Sequence, residues 1–165
     1  MENPTNIESM ENKKEAKIIL GFPGIGKTTL FNNEHKLKFL DSDSTNFSWE
    51  NKEKTVRHSN WPQNYIDHIL EEQDEVDAIF VSSHDVVRDA LTKAGINYFL
   101  VYPSLEMKDE YIQRYRNRGS NEKFVRLLEQ NYEKWVQELM NQQGCTHIVL
   151  QPGQYLSDVM NRILK

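Results

Sequence analysis

Residues 21–29 of the chain read Gly21-Phe22-Pro23-Gly24-Ile25-Gly26-Lys27-Thr28-Thr29, which has the form G-x-x-x-x-G-K-[ST]. This pattern is typical of a loop whose backbone N–H groups surround a chain of phosphates. Glycine suits such a loop because it lacks a Cβ atom, adopts positive φ readily and lets the backbone approach a ligand closely. A phosphate-binding loop follows a strand and opens a helix, so the neighbouring sequence tests the interpretation.

The sequence on both sides of this motif fits a phosphate-binding loop. The apolar run at residues 17–20 ends at Gly21 and predicts a strand. Thr29 and Leu30 are expected to begin a helix whose positive end faces the phosphates. The alternative is a Gly-Pro turn with an incidental lysine, which does not explain why a strand and a helix flank the motif.

The motif assigns a role to each of its polar side chains. Lys27 is expected to reach the β- and γ-phosphates of ATP, and the Thr28 hydroxyl to hold the Mg²⁺ that bridges them. The predicted cofactor is therefore Mg²⁺, with ATP as the phosphoryl donor. The predicted nucleotide-binding residues are Gly21, Pro23, Gly24, Ile25, Gly26, Lys27, Thr28 and Thr29.

Composition limits the class of protein. The chain has 165 residues, of which 38% are apolar and 27% charged, as is typical of one globular domain. A net charge of −5 argues against nucleic acid as a partner, although it leaves room for a local basic site. The single cysteine, Cys145, excludes an internal disulfide and fits a reducing compartment. The sequence has no apolar run long enough to span a membrane and no apolar core of a signal peptide, so we expect a cytoplasmic protein with no membrane partner. The sequence does not determine the oligomeric state.

Strand and helix patterns alternate along the chain. Residues 1–15 are polar and predict a flexible tail, and residues 16–165 predict a single domain. Strands are predicted at residues 17–20, 37–40, 77–82, 96–102 and 146–150. Helices are predicted at residues 29–33, 62–72, 84–94, 105–118, 121–143 and 154–164, while residues 45–61 show no regular pattern. The predicted buried stripe of the longest helix, which Ser120 is expected to cap, is Phe124, Leu127, Leu128, Tyr132, Trp135, Val136 and Leu139.

This alternation predicts an α/β fold, a three-layer α/β/α arrangement around a parallel sheet. The third and fourth strands are apolar throughout, as expected when helices cover both faces of the sheet. Ligands of such sheets bind at the carboxyl ends of the strands. Residues 21–28, 41–44, 82–85 and 102–104 are therefore expected to form one rim.

Two carboxylates lie at the end of the second predicted strand. Asp41 and Asp43 alternate along an extended chain, so both side chains are expected to face the cleft. We predict that both are catalytic. One would bind Mg²⁺ through water or accept a proton from an attacking hydroxyl, and the other would hold the acceptor; we assign the metal to Asp41 and the acceptor to Asp43. The alternative is an Asp/Ser turn in which the carboxylates cap a helix.

The third predicted strand lacks an acid at the position where many P-loop proteins have one near Mg²⁺. Ser82 stands there, and Asp85 follows three residues later. The metal is held either by Asp85 or by Thr28, the phosphates, waters and an acid of the second strand, and we favour the second arrangement. His84 either contacts a ligand or is only a partly exposed residue at a helix start.

Three arginines end the helix that follows the fourth predicted strand. Arg114 and Arg118 are four residues apart and share a face, whereas Arg116 points elsewhere. Phosphoryl transfer needs cations around the moving group, so Arg114 and Arg118 are predicted to be catalytic and to close over the site. The alternative is that these arginines only balance the helix dipole.

The irregular segment after the second strand carries candidate acceptor-binding residues. The aromatic rings of Phe47 and Trp49 would stack on a base, and Arg57 or Arg88 would join Asp43 in binding the acceptor through its phosphate. Alternatively, the aromatic residues anchor a long loop to the core.

These features together resemble the small P-loop kinases over residues 17–165: nucleoside monophosphate kinases, their shikimate- and gluconate-kinase relatives and, most of all, short phage-type adenylate-kinase-like nucleotide kinases. Asp41-Ser42-Asp43 resembles the D-x-D element of shikimate kinases, residues 111–119 resemble a lid with its arginines, and residues 152–156 resemble the turn near the adenine. The resemblance implies a five-stranded parallel sheet in the order 2-3-1-4-5. It also implies an acceptor-binding insertion at residues 45–75 and a lid at residues 105–125.

The chain departs from adenylate kinases after the third strand, where Ser82-Ser83-His84-Asp85 replaces their Asp-Gly-Phe/Tyr-Pro-Arg sequence, and its lid lacks zinc-ligand cysteines.

The predicted function is transfer of the γ-phosphoryl group of ATP to a small-molecule acceptor, with a (deoxy)nucleoside monophosphate favoured. Other acceptors left open are a small hydroxy acid, a sugar and a polynucleotide 5′ end. The alternative from another class is a nucleotide-binding regulatory module without kinase activity.

Overall fold

A computed structural model describes residues 15–164 of the chain. Of the tail predicted at residues 1–15, all but Glu15 lies outside the described residues. The strands are β1 (Lys17–Gly21), β2 (Phe39–Ser42), β3 (Ala78–Val81), β4 (Phe99–Pro103) and β5 (Thr146–Leu150). The helices are α1 (Lys27–Asn33), α2 (Thr45–Ser48), α3 (Gln63–Glu72), α4 (Asp85–Lys93), α5 (Lys108–Asn117), α6 (Glu122–Met140) and α7 (Leu156–Ile163). A 3-10 turn at Leu105–Met107 leads into α5.

The five strands form one parallel sheet in the order β2-β3-β1-β4-β5, with helices flanking it. In the central strand, Ile19 lies opposite Phe80 of β3, and Leu20 lies opposite Leu100 of β4. The predicted α/β fold and strand order are therefore confirmed. Because β1 is central, the loop that follows it emerges between the carboxyl ends of β3 and β4, where parallel sheets bind ligands.

The core lies on both faces of the central strands. All four residues of β3 and the three inner residues of β1 are buried. A strand covered on both faces can bury every side chain, which explains why the sequence of β3 is continuously apolar instead of alternating. The central strands are therefore a rigid support for the loops at their carboxyl ends.

The second strand starts later than the sequence predicts, and this moves one of the two carboxylates. β2 begins at Phe39 because the residue before it, Lys38, is bonded to the side chain of Asp77, whose Oδ2 accepts from the Lys38 N–H at 2.7 Å. The strand therefore includes Asp41, and only Asp43 follows it. The segment expected to be irregular then opens with the short helix α2.

Helix α6 buries a narrower stripe than predicted. Leu127 is 48% exposed, whereas Leu128 is fully buried. Asn121, not Ser120, caps the helix, since the Asn121 side-chain oxygen accepts from the Phe124 N–H at 2.7 Å. The buried residues of α6 are Val125, Leu128, Tyr132, Val136 and Leu139. Neither α6 nor any other helix within residues 15–164 has the length and apolar character needed to cross a membrane.

The two neighbouring leucines of α6 test this packing. Leu128→Ala should lower the free energy of unfolding by about 2–5 kcal/mol, because it leaves a cavity in the core. Leu127→Ala, the matched control in the same helix, should change it by less than about 0.5 kcal/mol. Urea unfolding followed by circular dichroism measures both, and equal losses would contradict the burial of α6 described here.

Candidate functional site

The loop between β1 and α1 depends on two glycines in the left-handed region. Gly24 has φ +92° and Gly26 has φ +96°, values that side chains with a Cβ atom rarely adopt. A Cβ atom on Gly24 would lie 3.0 Å from the ring of Tyr115, and one on Gly26 would lie 2.9 Å from the ring of Tyr155. The loop is thus closely packed on its outer side by two tyrosines.

Three consecutive carbonyl groups of this loop accept hydrogen bonds from other parts of the chain. Pro23 O accepts from the Tyr115 hydroxyl, and Gly24 O accepts from Arg114 Nη1 at 2.9 Å. Ile25 O accepts from the Leu156 N–H at 2.7 Å. In a planar trans peptide the N–H points opposite to the C=O. These bonds therefore aim the next three N–H groups, on residues 24–26, away from the helices that hold the carbonyls.

The first residues of α1 add further N–H groups next to the same loop. The first i→i−4 hydrogen bond runs from the Leu30 N–H to Gly26 O at 3.1 Å. The N–H groups of Lys27, Thr28 and Thr29 consequently have no partner inside the helix. These N–H groups and those of residues 24–26 are the backbone donors that the motif predicts around a phosphate chain, and their binding of phosphate stays a prediction.

A cavity of about 760 Å³ lies against these donors. Residues 21–29 form one wall, and Ser82, Ser83 and His84, which follow β3, form another. Arg114, Asn117, Arg118 and Tyr155 close the remaining side. This volume falls within the range of small-molecule sites. The segments after β1 and β3 therefore line one pocket, whereas residues 41–44 and 102–104 of the predicted rim are not among its lining residues.

Arg114 is fixed in place by protein groups. Besides Gly24 O, its guanidinium donates to Glu110 Oε2 at 2.6 Å and to Gln154 O at 2.7 Å. It also lies 3.8 Å from the ring centroid of Tyr155, and the side chain is only 10% exposed. The sequence predicts an arginine that closes over a ligand, whereas this one braces the loop. Its contact with a transferred phosphoryl group stays a prediction.

Tyr115 is the second brace, and the sequence analysis missed it. Its side chain is fully buried, and burial raises the pKa of its hydroxyl above the ordinary value, so the group stays protonated and able to donate to Pro23 O. Tyr111, one turn earlier, shares this buried face. The spacing of the two tyrosines signals a buried helix face, but no local pattern signals which carbonyl one of them reaches.

The arginines at the end of α5 separate as the helical spacing predicts. Arg114 and Arg118 line the cavity. Arg116 instead lies 3.6 Å from a Glu122 carboxylate oxygen and is exposed. The Arg118 guanidinium lies over the ring of Tyr115 at 4.7 Å, and its Nε donates to Ser120 Oγ at 3.1 Å. Arg118 is the more exposed of the two arginines that line the cavity.

Lys27 and Asp41 form an ion pair beside the loop. Lys27 Nζ lies 2.9 Å from Asp41 Oδ1, and both side chains are about half exposed, at 42% and 51%. An exposed pair of this kind contributes little to stability, and in this structure it sets the Lys27 ammonium beside the Asp41 carboxylate. Asp41 and Asp43 are exposed on either side of buried Ser42, and neither is among the residues that line the cavity. That both carboxylates face the cleft stays a prediction.

The donor atoms near the loop fit Mg²⁺, the metal that the motif implies. The Thr28 hydroxyl and the Asp41 carboxylate are hard oxygen donors, which Mg²⁺ prefers in combination with phosphate oxygens and waters. Neither Asp41 nor Asp85 is among the residues that line the cavity. Asp41 contacts Lys27 of the loop, whereas Asp85 accepts from the Val86 N–H at 2.9 Å at the start of α4. Among residues 15–164 there is no cluster of three or more His, Cys, Asp or Glu side chains arranged to hold a metal alone.

Asp43 performs the capping role that the sequence left open as an alternative. Its Oδ1 accepts from the Thr45 N–H at 2.9 Å, at the start of α2. Hydrogen bonds from Thr45 hold the pKa of Asp43 below its usual value, against the opposing effect of burial, and the ammonium groups of Lys27 and Lys54 lower it further. Asp43 is therefore an ionised carboxylate with two lysines in its vicinity.

A small network ties the end of β2 to the end of β3. The Tyr65 hydroxyl donates to Ser42 O at 2.5 Å and accepts from the Ser82 N–H at 3.4 Å. The Ser44 N–H donates to Ser82 Oγ at 3.3 Å. Ser82, which stands where many P-loop proteins carry an acid, thus holds the segment that bears Asp43 against the cavity wall.

The four further residues predicted to bind the acceptor lie outside the cavity lining. The Phe47 ring packs against His68 and Tyr65, with centroids 4.6 and 5.2 Å apart, so it anchors the segment to the core. The Arg57 guanidinium lies 4.0 Å from the ring centroid of Trp49.

Arg88 is buried, and its guanidinium donates to Gln142 Oε1 at 2.9 Å and to Ser83 O at 3.0 Å. Like the Arg57 guanidinium, the Arg88 guanidinium already contacts other residues of the chain. The acceptor-binding roles of Phe47, Trp49, Arg57 and Arg88 stay predictions.

No protein-family model matches the chain, and a search of curated proteins finds no match. The resemblance to small P-loop kinases therefore rests on the sequence motifs of this chain alone.

Two tyrosines of α5 test the brace. Tyr115→Phe should lower the free energy of unfolding by about 1–3 kcal/mol, because Pro23 O loses its donor while the ring is retained. Tyr111→Phe is the matched control. The Tyr111 ring is equally buried, and its hydroxyl makes no geometric hydrogen bond within residues 15–164, so its removal should be neutral or slightly stabilising. Chemical denaturation compares them, and equal effects would rule out the bond to Pro23.

Proposed function

We propose that the protein is an ATP-dependent phosphotransferase that moves the γ-phosphoryl group to a small acceptor, with a (deoxy)nucleoside monophosphate as the favoured class. The observation that carries the proposal is the set of three loop carbonyls tied to helices α5 and α7, which turns the N–H groups of residues 24–26 away from those helices. With Lys27 beside them and a cavity of about 760 Å³ in front, these groups suit a triphosphate.

In the proposed reaction the loop binds the donor and the strand ends receive the acceptor. The bond between the γ-phosphorus and the β–γ bridging oxygen breaks, an acceptor oxygen bonds to the phosphorus, and ADP leaves. Lys27 and Arg118 stabilise the negative charge on the moving group. Mg²⁺ held by Thr28 and Asp41 would supply charge neutralisation on the β- and γ-phosphates.

The acceptor side lies at the ends of β2 and β3. Asp43 is ionised at neutral pH, so it accepts a hydrogen bond from the acceptor or a proton from an attacking hydroxyl. His84 borders the same cavity and is exposed. We place the reaction in the cytoplasm, where ATP is available and a free thiol such as that of Cys145 persists.

Two observations favour a second function, a nucleotide-binding module without kinase chemistry. Ser82 stands in place of an acid at the end of β3, and Arg114 is bonded to the protein instead of being free to meet a phosphoryl group. Such a module would bind ATP tightly and release no product. Isothermal titration with ATP, run alongside product detection, separates it from the kinase.

The central lysine of the motif tests the kinase proposal. Lys27→Ala should reduce turnover by about 10³-fold, because the ammonium that stabilises the transferred group is lost. Lys36→Ala, an exposed lysine just beyond α1, should leave turnover unchanged. The assay is coupled ADP release with ATP, Mg²⁺ and a panel of nucleoside and deoxynucleoside monophosphates, and circular dichroism checks that both variants are folded.

Two results would contradict this proposal. Wild-type turnover in Lys27→Ala would exclude the loop as the donor site. Absence of ADP release with every monophosphate, hydroxy acid, sugar and polynucleotide 5′ end in the panel, despite tight ATP binding, would favour the regulatory module.

A further inference from the structure

The charged side chains that line the cavity are all cations. Among the described residues of the lining these are Lys27, Arg114 and Arg118, and no carboxylate is found with them. Asp41 pairs with Lys27, and Glu110 with Arg114, from positions outside the lining, while Arg118 makes no ion pair within residues 15–164. A cleft lined by charges of one sign concentrates ligands of the opposite sign. The cavity as a whole is therefore suited to anions.

The wall that follows β3 carries donor groups that the described chain does not use. Ser83 and His84 belong to this wall, and both are accessible to solvent. Within residues 15–164, the Ser83 hydroxyl and the His84 ring make no hydrogen bond, ion pair or ring contact, and the N–H groups of both residues have no acceptor. Polar groups of this kind are satisfied by water or by a ligand.

Buried Arg88 fixes the backbone of this wall. It is 7% exposed, its Nη1 donates to Ser83 O at 3.0 Å, and its Nε donates to Gln142 Oε1 at 2.9 Å. Both acceptors are neutral, so the guanidinium charge adds to the positive potential behind Ser83. Because the N–H of a trans peptide points opposite to its C=O, the bond to Ser83 O directs the His84 N–H away from Arg88. The wall is thus held from the protein interior, as the loop is held by α5 and α7.

The proposed reaction requires a second anion in the same cavity. When the acceptor is a nucleoside monophosphate, the attacking atom is an oxygen of its phosphate, which has to lie next to the γ-phosphorus of the donor. The loop and Lys27 serve the donor, so the acceptor phosphate needs hydrogen-bond donors from another wall. Hydroxyl, imidazole and backbone N–H groups form charge-assisted hydrogen bonds with phosphate oxygens, and fixed donors offset the repulsion between two anions.

We propose that Ser83 and His84 are specificity-determining residues that bind the phosphate of the nucleoside monophosphate acceptor, on a segment that Arg88 holds in place. This inference rests on the proposed function and names the recognition element of its acceptor. One oxygen of the bound phosphate bonds to the γ-phosphorus while the bond from that phosphorus to the β–γ bridging oxygen breaks, which gives a nucleoside diphosphate and ADP. The attacking oxygen is ionised near neutral pH, so no proton has to be removed from it.

The test compares His84→Ala with His35→Ala, an exposed histidine just beyond α1 that lies outside the cavity lining. His84→Ala should raise the KM for the monophosphate about tenfold, because a hydrogen bond to a charged group is lost, while the Kd for ATP should change by less than about twofold. Ser83→Ala should act in the same direction. His84→Gln, which keeps a side-chain N–H donor, should retain most of the wild-type affinity, and His35→Ala should leave both constants unchanged.

Calorimetric titration of nucleoside monophosphates into protein loaded with Mg²⁺ and a non-hydrolysable ATP analogue gives a readout independent of turnover. Monophosphate binding that His84→Ala and Ser83→Ala weaken supports the inference even where no ADP is released, in which case the proposed kinase function alone fails. Wild-type monophosphate affinity in the variant that carries both substitutions would overturn it, as would absence of monophosphate binding to the wild-type protein. Loss of affinity for the ATP analogue alone would also overturn it, and would assign this wall to the γ-phosphate of the donor.

Discussion

The outward fixation of three successive carbonyl groups is the constraint on which the rest of the site depends. The carbonyl oxygens of Pro23, Gly24 and Ile25 each accept a hydrogen bond from a donor in α5 or at the start of α7. Peptide planarity then fixes the opposite direction for three N–H groups. Glycine at positions 24 and 26 is needed both for the positive φ and for the space that Tyr115 and Tyr155 occupy. The loop is preorganised, so a bound anion does not have to order it.

The strand order determines which residues lie near this loop. With β1 in the centre, its loop opens towards the end of β3, and the order of strands places β2 and its Asp41 one strand further out. The Lys27–Asp41 pair then joins the loop to the acid-bearing strand. Because Tyr65 and Ser82 tie the ends of β2 and β3 together, the segment that bears Asp43 is held against the cavity wall formed by Ser82.

The sequence predicts those features that depend on local pattern. Continuous apolar strands that alternate with helices predict a parallel sheet covered on both faces, and the resemblance to small P-loop kinases implies its strand order. The brace could not be predicted, because the hydrogen bonds from Arg114 and Tyr115 join residues 90 and 92 positions apart. The burial of Arg88 likewise depends on Gln142, 54 positions away. The antiparallel bridge between Trp49 and Arg57 is local, but the segment between them lacks the hydrophobic alternation by which strands are recognised.

The most direct test of the proposed phosphate binding is the response of the loop amide resonances to a nucleotide. Backbone ¹H–¹⁵N spectra recorded during titration with Mg²⁺ and a non-hydrolysable ATP analogue should show large, saturating shifts for Gly24, Gly26 and Thr28. The amide resonances of Gly95, which follows α4, and of Gly144, which precedes β5, should not shift. Loop amides that do not move at millimolar nucleotide, or that move no more than those of Gly95 and Gly144, would contradict the proposed binding of a triphosphate by this loop.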